Sequence, residues 1–271
     1  MARFTTTFKQ YIKHVQRADR YFGYDLRGLA KISNLLGFLY EDWWNIEFSG
    51  LDRLPAEGPA VIVGNTSGLL PWTPLMLIYA LMSRRQNPRR VSVLADMDWI
   101  GDERAYQFLL ELGFVPWSSA NMKRLIDEGD LVAIFPEMFE AKNYWERYRL
   151  YEFDWTRLLP AVEQNVKIFP LASIGQDDAM PTFLNLDGLA KFLNIPSYPI
   201  TPFFPWLPFP VNLTSYAQKW HMHILPACNY ERKTGRDEIE EVVKTQARFI
   251  EGEIQAEINR MIRARLKRHE Y

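Results

Sequence analysis

From residue 59 to residue 175 the chain alternates two kinds of apolar pattern. Uninterrupted apolar runs, "AVIVG", "VSVLA", "LVAIF" and "VKIFPLASI", are separated by segments such as "LMLIYALMS", "AYQFLLELG" and "MKRLIDEG", in which apolar positions return every three or four residues. A strand buried on both faces reads as a continuous run, and a helix lying on a sheet reads with a period near 3.6. The alternation predicts an α/β fold with a mostly parallel central sheet flanked by helices. Upstream, "NIEFSGL" predicts a strand entering the turn "LPAEGP", and residues 26–44 predict a helix. Before that, Phe4, Phe8, Tyr11 and Val15 fall on one helical stripe and Lys9, Lys13, Arg17 and Arg20 on another, so residues 4–20 predict an amphipathic basic helix. A closing helix is expected from Asp237 to Lys267. The division that results is an N-terminal helical region, 1–45, suited to a membrane surface, and an α/β domain, 46–271.

Residues 199–213, "PITPFFPWLPFPVNL", fit neither pattern. Pro202, Pro205, Pro208 and Pro210 exclude a helix or a central strand. An irregular segment this apolar must pack inside the protein or press against an apolar partner. Charge narrows the partners: 32 basic and 33 acidic side chains give a net charge of −1 and no overall field toward nucleic acid. The single cysteine, Cys228, permits no internal disulfide and no cysteine-based zinc cluster. The N-terminus "MARFTTTFKQ" has no signal-peptide core, and Gly64, Asn65, Gly68, Pro71 and Pro74 interrupt the longest apolar region, so no membrane span is expected.

The strand-to-helix turn "GNTSGLLPWTP", 64–74, occupies a position where α/β folds carry sites, yet it holds no group that exchanges a proton near neutral pH. The blocks "DRYFGYD", "FLYEDWWNIEFSGLDRLPAEGPAVIVGN", "SGLLPW", "FPE", "ERYRL", "PLASIG", "YPITPFFPWL" and "KW", in this order, resemble the lysophospholipid and glycerol acyltransferase superfamily, in its bacterial monoacylglycerol acyltransferase-like branch. The resemblance implies transfer of an acyl chain from a thioester carrier to a glycerol-type lipid at a membrane face. It also implies a His directly after Asn65 as general base and an Asp at the end of the turn to orient it. Those positions are Thr66 and Thr73. A hydroxyl is too weak a base for this task, so no catalytic residue is expected here. Thr73, directly before Pro74, is expected to cap the following helix, and Thr66 to hydrogen-bond within the turn.

On the same resemblance Asn65, Ser67, Gly68, Glu137, Lys142, Arg147 and Arg149 are candidate substrate-binding residues, and Phe203, Phe204, Trp206 and Phe209 candidate acyl- or membrane-facing ones. After "FPE" the expected glycines are replaced by Met138, Phe139, Glu140 and Ala141, which opposes close approach of a phosphate. The arginines can instead pair with local carboxylates. His221 and His223 share one face of a predicted strand, either as an ordinary polar face or as a base or metal ligands; Asp177 and Asp178 suggest a structural or rim role. Three readings remain: a pseudoenzyme that binds acyl lipid, acyl-CoA or acyl carrier protein; an active O-acyltransferase with a non-standard base; and a membrane-associated scaffold. The expected location is cytoplasmic, peripheral to the inner membrane, with no cofactor and no metal.

Overall fold

The computed structural model describes residues 21–83, 88–208, 215–228, 230 and 236–269. The expected basic helix at 4–20 and Phe209 lie outside the described residues. Helix α1 (Leu26–Phe38) begins where the Asp25 carboxylate accepts from the Arg27 amide, which satisfies one of the unpaired amides of a helix start. It runs into a wider π-type turn, Leu39–Trp43, so the single helix expected over 26–44 divides there, and Trp44 follows fully buried.

The remaining elements are β1 (Glu47–Ser49), β2 (Ala60–Gly64), α2 (Trp72–Met82), β3 (Val91–Ala95), α3 (Glu103–Leu112), β4 (Phe114–Pro116), α4 (Ser119–Asp127), β5 (Leu131–Ile134), α5 (Leu159–Glu163), β6 (Ile168–Ile174), α6 (Gln176–Ala179), β7 (Leu184–Asn185), α7 (Asp187–Leu193), β8 (Pro199–Ile200), β9 (His221–Ile224) and α8 (Arg236–His269). Among the described residues seven strands form one sheet in the order β1-β9-β6-β2-β5-β3-β4. The neighbours from β6 to β4 are parallel, β9 is antiparallel to β6, and β1 runs with β9. The expected α/β class and mostly parallel sheet are what the chain adopts.

Strand side chains alternate between two cores. Ala60 and Ile62 face one, with Leu29, Leu36, Leu77 and Leu81 of α1 and α2; Val61 and Val63 face the other, with Leu125 of α4 and Val243, Ile250, Ile254 and Ile258 of α8. A sheet covered on both sides needs its strands apolar at every position, which is why the runs seen in the sequence carry no period of two.

A stack of indoles anchors the first core beneath the end of β6. The Trp44 and Trp220 rings lie 4.3 Å apart at 17°, and Trp72 meets Trp44 edge-on at 5.3 Å. Such packing buries large apolar area in favoured aromatic geometry. Gly175, with φ 120, leaves room for it: a Cβ there would lie 2.4 Å from Cδ1 of Trp220. Gly175→Ala therefore meets both overpacking and backbone strain, and is expected to lower unfolding stability by about 2–4 kcal/mol in a urea titration.

Candidate functional site

The turn after β2 and the end of β6 come together because the two strands are neighbours, with Gly64 opposite Leu171. Asn65 fixes the turn through its side-chain amide: Nδ2 donates to the Ser173 carbonyl at 2.9 Å and Oδ1 accepts from the Ser173 amide at 2.7 Å. Gly68, at φ 83, donates its amide to the Glu140 carbonyl at 2.8 Å and so ties this turn to the loop after β5.

Thr66 and Thr73 are both buried, and both hydroxyls donate to one acceptor. Oε1 of Gln176 lies 3.1 Å from Oγ1 of Thr66 and 2.5 Å from Oγ1 of Thr73. Nε2 of the same amide donates to the carbonyls of Ser67 and Leu70. Carbonyls only accept, so the amide nitrogen must face them and the amide oxygen must face the hydroxyls. Every donor and acceptor position of Gln176 is thereby filled by the turn. The geometry corrects two expectations. Helix α2 starts at Trp72 without a side-chain cap, so Thr73 lies inside its first turn rather than capping it. Thr66 bonds across 110 residues rather than within its own turn.

The loop after β5 is equally closed. Glu137 and Lys142 form a buried ion pair at 2.8 Å; the other Glu137 oxygen accepts from the Tyr151 amide at 2.6 Å, and Nζ of Lys142 also donates to the Arg149 carbonyl at 2.6 Å. Burial raises the Glu137 carboxyl above its ordinary value, against the pull of Lys142. Phe139 adopts φ 69, the left-handed region that favours glycine, and its ring is buried against Trp99. The loop thus keeps a glycine-like backbone while turning Met138, Phe139 and Ala141 inward. Its amides at Met138, Glu140 and Ala141 donate to Phe135, Glu137 and Ser197. Arg147 is exposed and pairs with Asp178 at 3.6 Å, not with the local glutamates; Arg149 is exposed.

Asp177 accepts from the Tyr148 amide, while Asp178 holds Arg147, Arg265 and the Tyr148 hydroxyl. Both aspartates therefore brace the loop and α8. The aromatic segment sits apart from the turn in its ring contacts: Phe203 packs on Tyr216 and Phe204 on Tyr198, while Trp206 is exposed. His221 and His223 do share one face of β9. They line a cavity of about 370 Å3 between β1, β9 and α8, and its walls do not include Thr66, Thr73 or Gln176. His221 Nε2 meets Glu47 at 3.1 Å. His223 meets Glu257 through Nδ1 at 2.6 Å and Arg53 through Nε2 at 2.8 Å. Among the described residues no group of three or more His, Cys, Asp or Glu side chains is placed to hold a metal ion, and no helix is long and apolar enough to cross a membrane.

Gln176 was not distinguishable in the sequence, because its role requires β6 beside β2 and nothing local marks that pairing. Asn65 was marked by its place directly after the strand. The chain has the fold of the acyltransferases. Its structure matches the crystal structure of the 1-acyl-sn-glycerophosphate acyltransferase PlsC from Thermotoga maritima with a TM-score of 0.52 at 13% identity, over 94% of this chain and 79% of that one. In sequence it is 31% identical over 210 residues to uncharacterized proteins of Mycobacterium tuberculosis and Mycobacterium bovis, and 29% identical to one of Mycobacterium leprae. The aligned part is 74% of this chain and 57% of the Mycobacterium tuberculosis protein, so the match spans little more than half of that relative. No protein-family profile matches the chain.

Two measurements check this geometry. Gln176→Leu removes the acceptor of two buried hydroxyls and the donor to two carbonyls, and is expected to cost about 2–5 kcal/mol in denaturant unfolding, whereas Gln176→Glu should cost as much by setting an acceptor against those carbonyls. Burial alone would raise the Glu257 carboxyl, but its hydrogen bonds to Arg260 and His223 outweigh that and hold it below its ordinary value. A carboxylate shifted down adds stability that is present above the ordinary value and is lost as pH falls through the lowered one. Glu257→Gln should therefore flatten the acid limb of a melting-temperature profile.

Proposed function

We propose that this chain is a non-catalytic protein on the acyltransferase fold, one that holds an acyl lipid or an acyl thioester at a membrane surface without the chemistry of the fold. The observation that carries the reading is the Thr66–Gln176–Thr73 cluster. All three side chains are uncharged, and the hydrogen-bonding capacity of the amide is filled by the turn itself. No group there takes a proton from an alcohol near pH 7. The closed loop around Glu137 and Lys142 supports the same reading, since charges that would meet an anionic headgroup are directed at each other. The ligands that fit are an acyl lipid, acyl-CoA or an acyl group on a carrier protein, and the fitting location is the cytoplasmic face of the inner membrane. Asn65, Ser67, Gly68, Arg147 and Arg149 stay candidates for ligand contact.

A second reading has its own observation: two histidine–glutamate pairs line a cavity of about 370 Å3, and a paired histidine is the usual form of a general base. The Nε2 of His221 meets Glu47 and the Nε2 of His223 meets Arg53, so either histidine would act as a base only after exchanging that partner for a substrate.

One set of assays separates the readings. Purified wild type is expected to yield an acyl species on lipid extraction and no acyl transfer from acyl-CoA or acyl carrier protein to glycerol lipids. Thr66→His with Thr73→Asp should remain silent while Gln176 is present, because either face of the amide then opposes a turn carbonyl or the new carboxylate. Adding Gln176→Ala is expected to permit weak transfer. Wild-type turnover that survives Thr66→Val and disappears with His221→Gln would replace the first reading by the second.

A further inference from the structure

Residues 183–207 form a small lobe on the outside of the α/β domain, built from β7, α7, β8 and the turn that follows. Its side chains point outward to an unusual degree. Phe192 is 83% exposed and Trp206 68% exposed, and Phe183, Leu184, Leu193 and Leu207 are exposed with them. Water contact with this much aromatic and aliphatic surface is unfavourable, and it marks a docking face.

The lobe is ordered, so its exposure is built in. The Phe183 amide donates to the Ile200 carbonyl at 2.8 Å and the Leu186 amide to the Tyr198 carbonyl at 3.0 Å. Oδ1 of Asn185 accepts from the Ser197 hydroxyl and the Tyr198 amide, each at 2.9 Å. Thr201 Oγ1 accepts from the amides of Phe203 and Phe204. The indole Nε1 of Trp206 donates to the Thr201 carbonyl at 3.1 Å. That last bond matters for the partner, because the one polar atom of the ring is already satisfied and its removal from water leaves no orphaned donor.

Charge identifies what covers the face. Between Asp178 and Lys219 the chain contains two charged residues, Asp187 and Lys191, which cancel. A protein partner would meet an uncharged surface with little to fix its register. A bilayer interface requires no register; it favours tryptophan and phenylalanine at headgroup depth and penalises buried charge. The lobe also adjoins cations. The Asn185 amide donates to Oδ1 of Asn143 at 2.9 Å, and the Ala141 amide to the Ser197 hydroxyl at 3.0 Å, so the lobe is fastened to the loop that carries exposed Trp145, Arg147 and Arg149. Arginines beside an apolar wedge suit the phosphate layer above it.

We propose that the 183–207 lobe is a phospholipid-interface docking surface that inserts Phe192 and Trp206 at the boundary between headgroups and acyl chains, and that it works by apolar burial rather than by attraction to anionic lipid. The inference deepens the reading of a lipid-holding protein and rests on it for its setting. It assigns the membrane contact to a face of the α/β domain, distinct from the basic helix expected at 4–20.

The test is flotation of the full-length protein with vesicles of phosphatidylcholine alone, at low salt and at about 0.5 M NaCl, where exposed charge attraction is largely screened. Binding is expected to persist at the higher salt. Phe192→Glu with Trp206→Glu is expected to lower the bound fraction about tenfold or more, with circular dichroism and melting temperature unchanged. Leu266→Glu, an exposed apolar position on α8, should leave binding intact. The proposal is overturned if the wild type binds only anionic vesicles in a salt-sensitive way, or if the double variant floats as well as the wild type. It is also overturned if the double variant abolishes a concentration-dependent dimer and leaves flotation untouched. Lipid extraction separates this proposal from the reading it rests on. Co-purified acyl lipid without flotation removes the docking face alone, and flotation without co-purified lipid removes the held ligand alone.

Discussion

The adjacency of β2 and β6 is the constraint on which the candidate site depends. Because the two strands run parallel with Gly64 beside Leu171, the loops leaving their C-terminal ends emerge side by side. One amide, that of Gln176, then joins them. A buried polar group is favourable only when its partners are complete, and Gln176 has all of its own within one turn. The turn after β2 is thereby riveted to the end of the neighbouring strand.

The loop after β5 is closed in the same way. Phe139 holds a left-handed backbone that glycine adopts at no cost, and the burial of its ring against Trp99 offsets the strain. Glu137 and Lys142 are too deeply buried to remain charged alone, so each requires the other. Asp177 and Asp178 brace the next stretch of loop and reach Arg265 on α8. Turn, loop and long helix are thus linked by a chain of polar contacts.

The 183–207 lobe, by contrast, turns large apolar side chains outward. The lobe carrying Phe192 and Trp206 is held by backbone pairing and by Asn185, with its surface left uncovered.

The sequence by itself determined the fold class, because a sheet covered on both faces demands uninterrupted apolar runs and covering helices demand a period of 3.6. It also determined that the turn lacks a base, since Thr66 and Thr73 are hydroxyls wherever they point, and that His221 and His223 share a face, since alternation along a strand is local. The tertiary structure decided what those residues meet. Gln176, Arg53 and Glu257 are brought to them by strand order and by the packing of α8, which no local pattern encodes. It decided too that Thr73 would not cap α2, because the helix already starts at Trp72 and places Thr73 inside its first turn, and that Arg147 would pair with Asp178. Periodicity is a property of neighbours along the chain; hydrogen-bond partners are a property of neighbours in space.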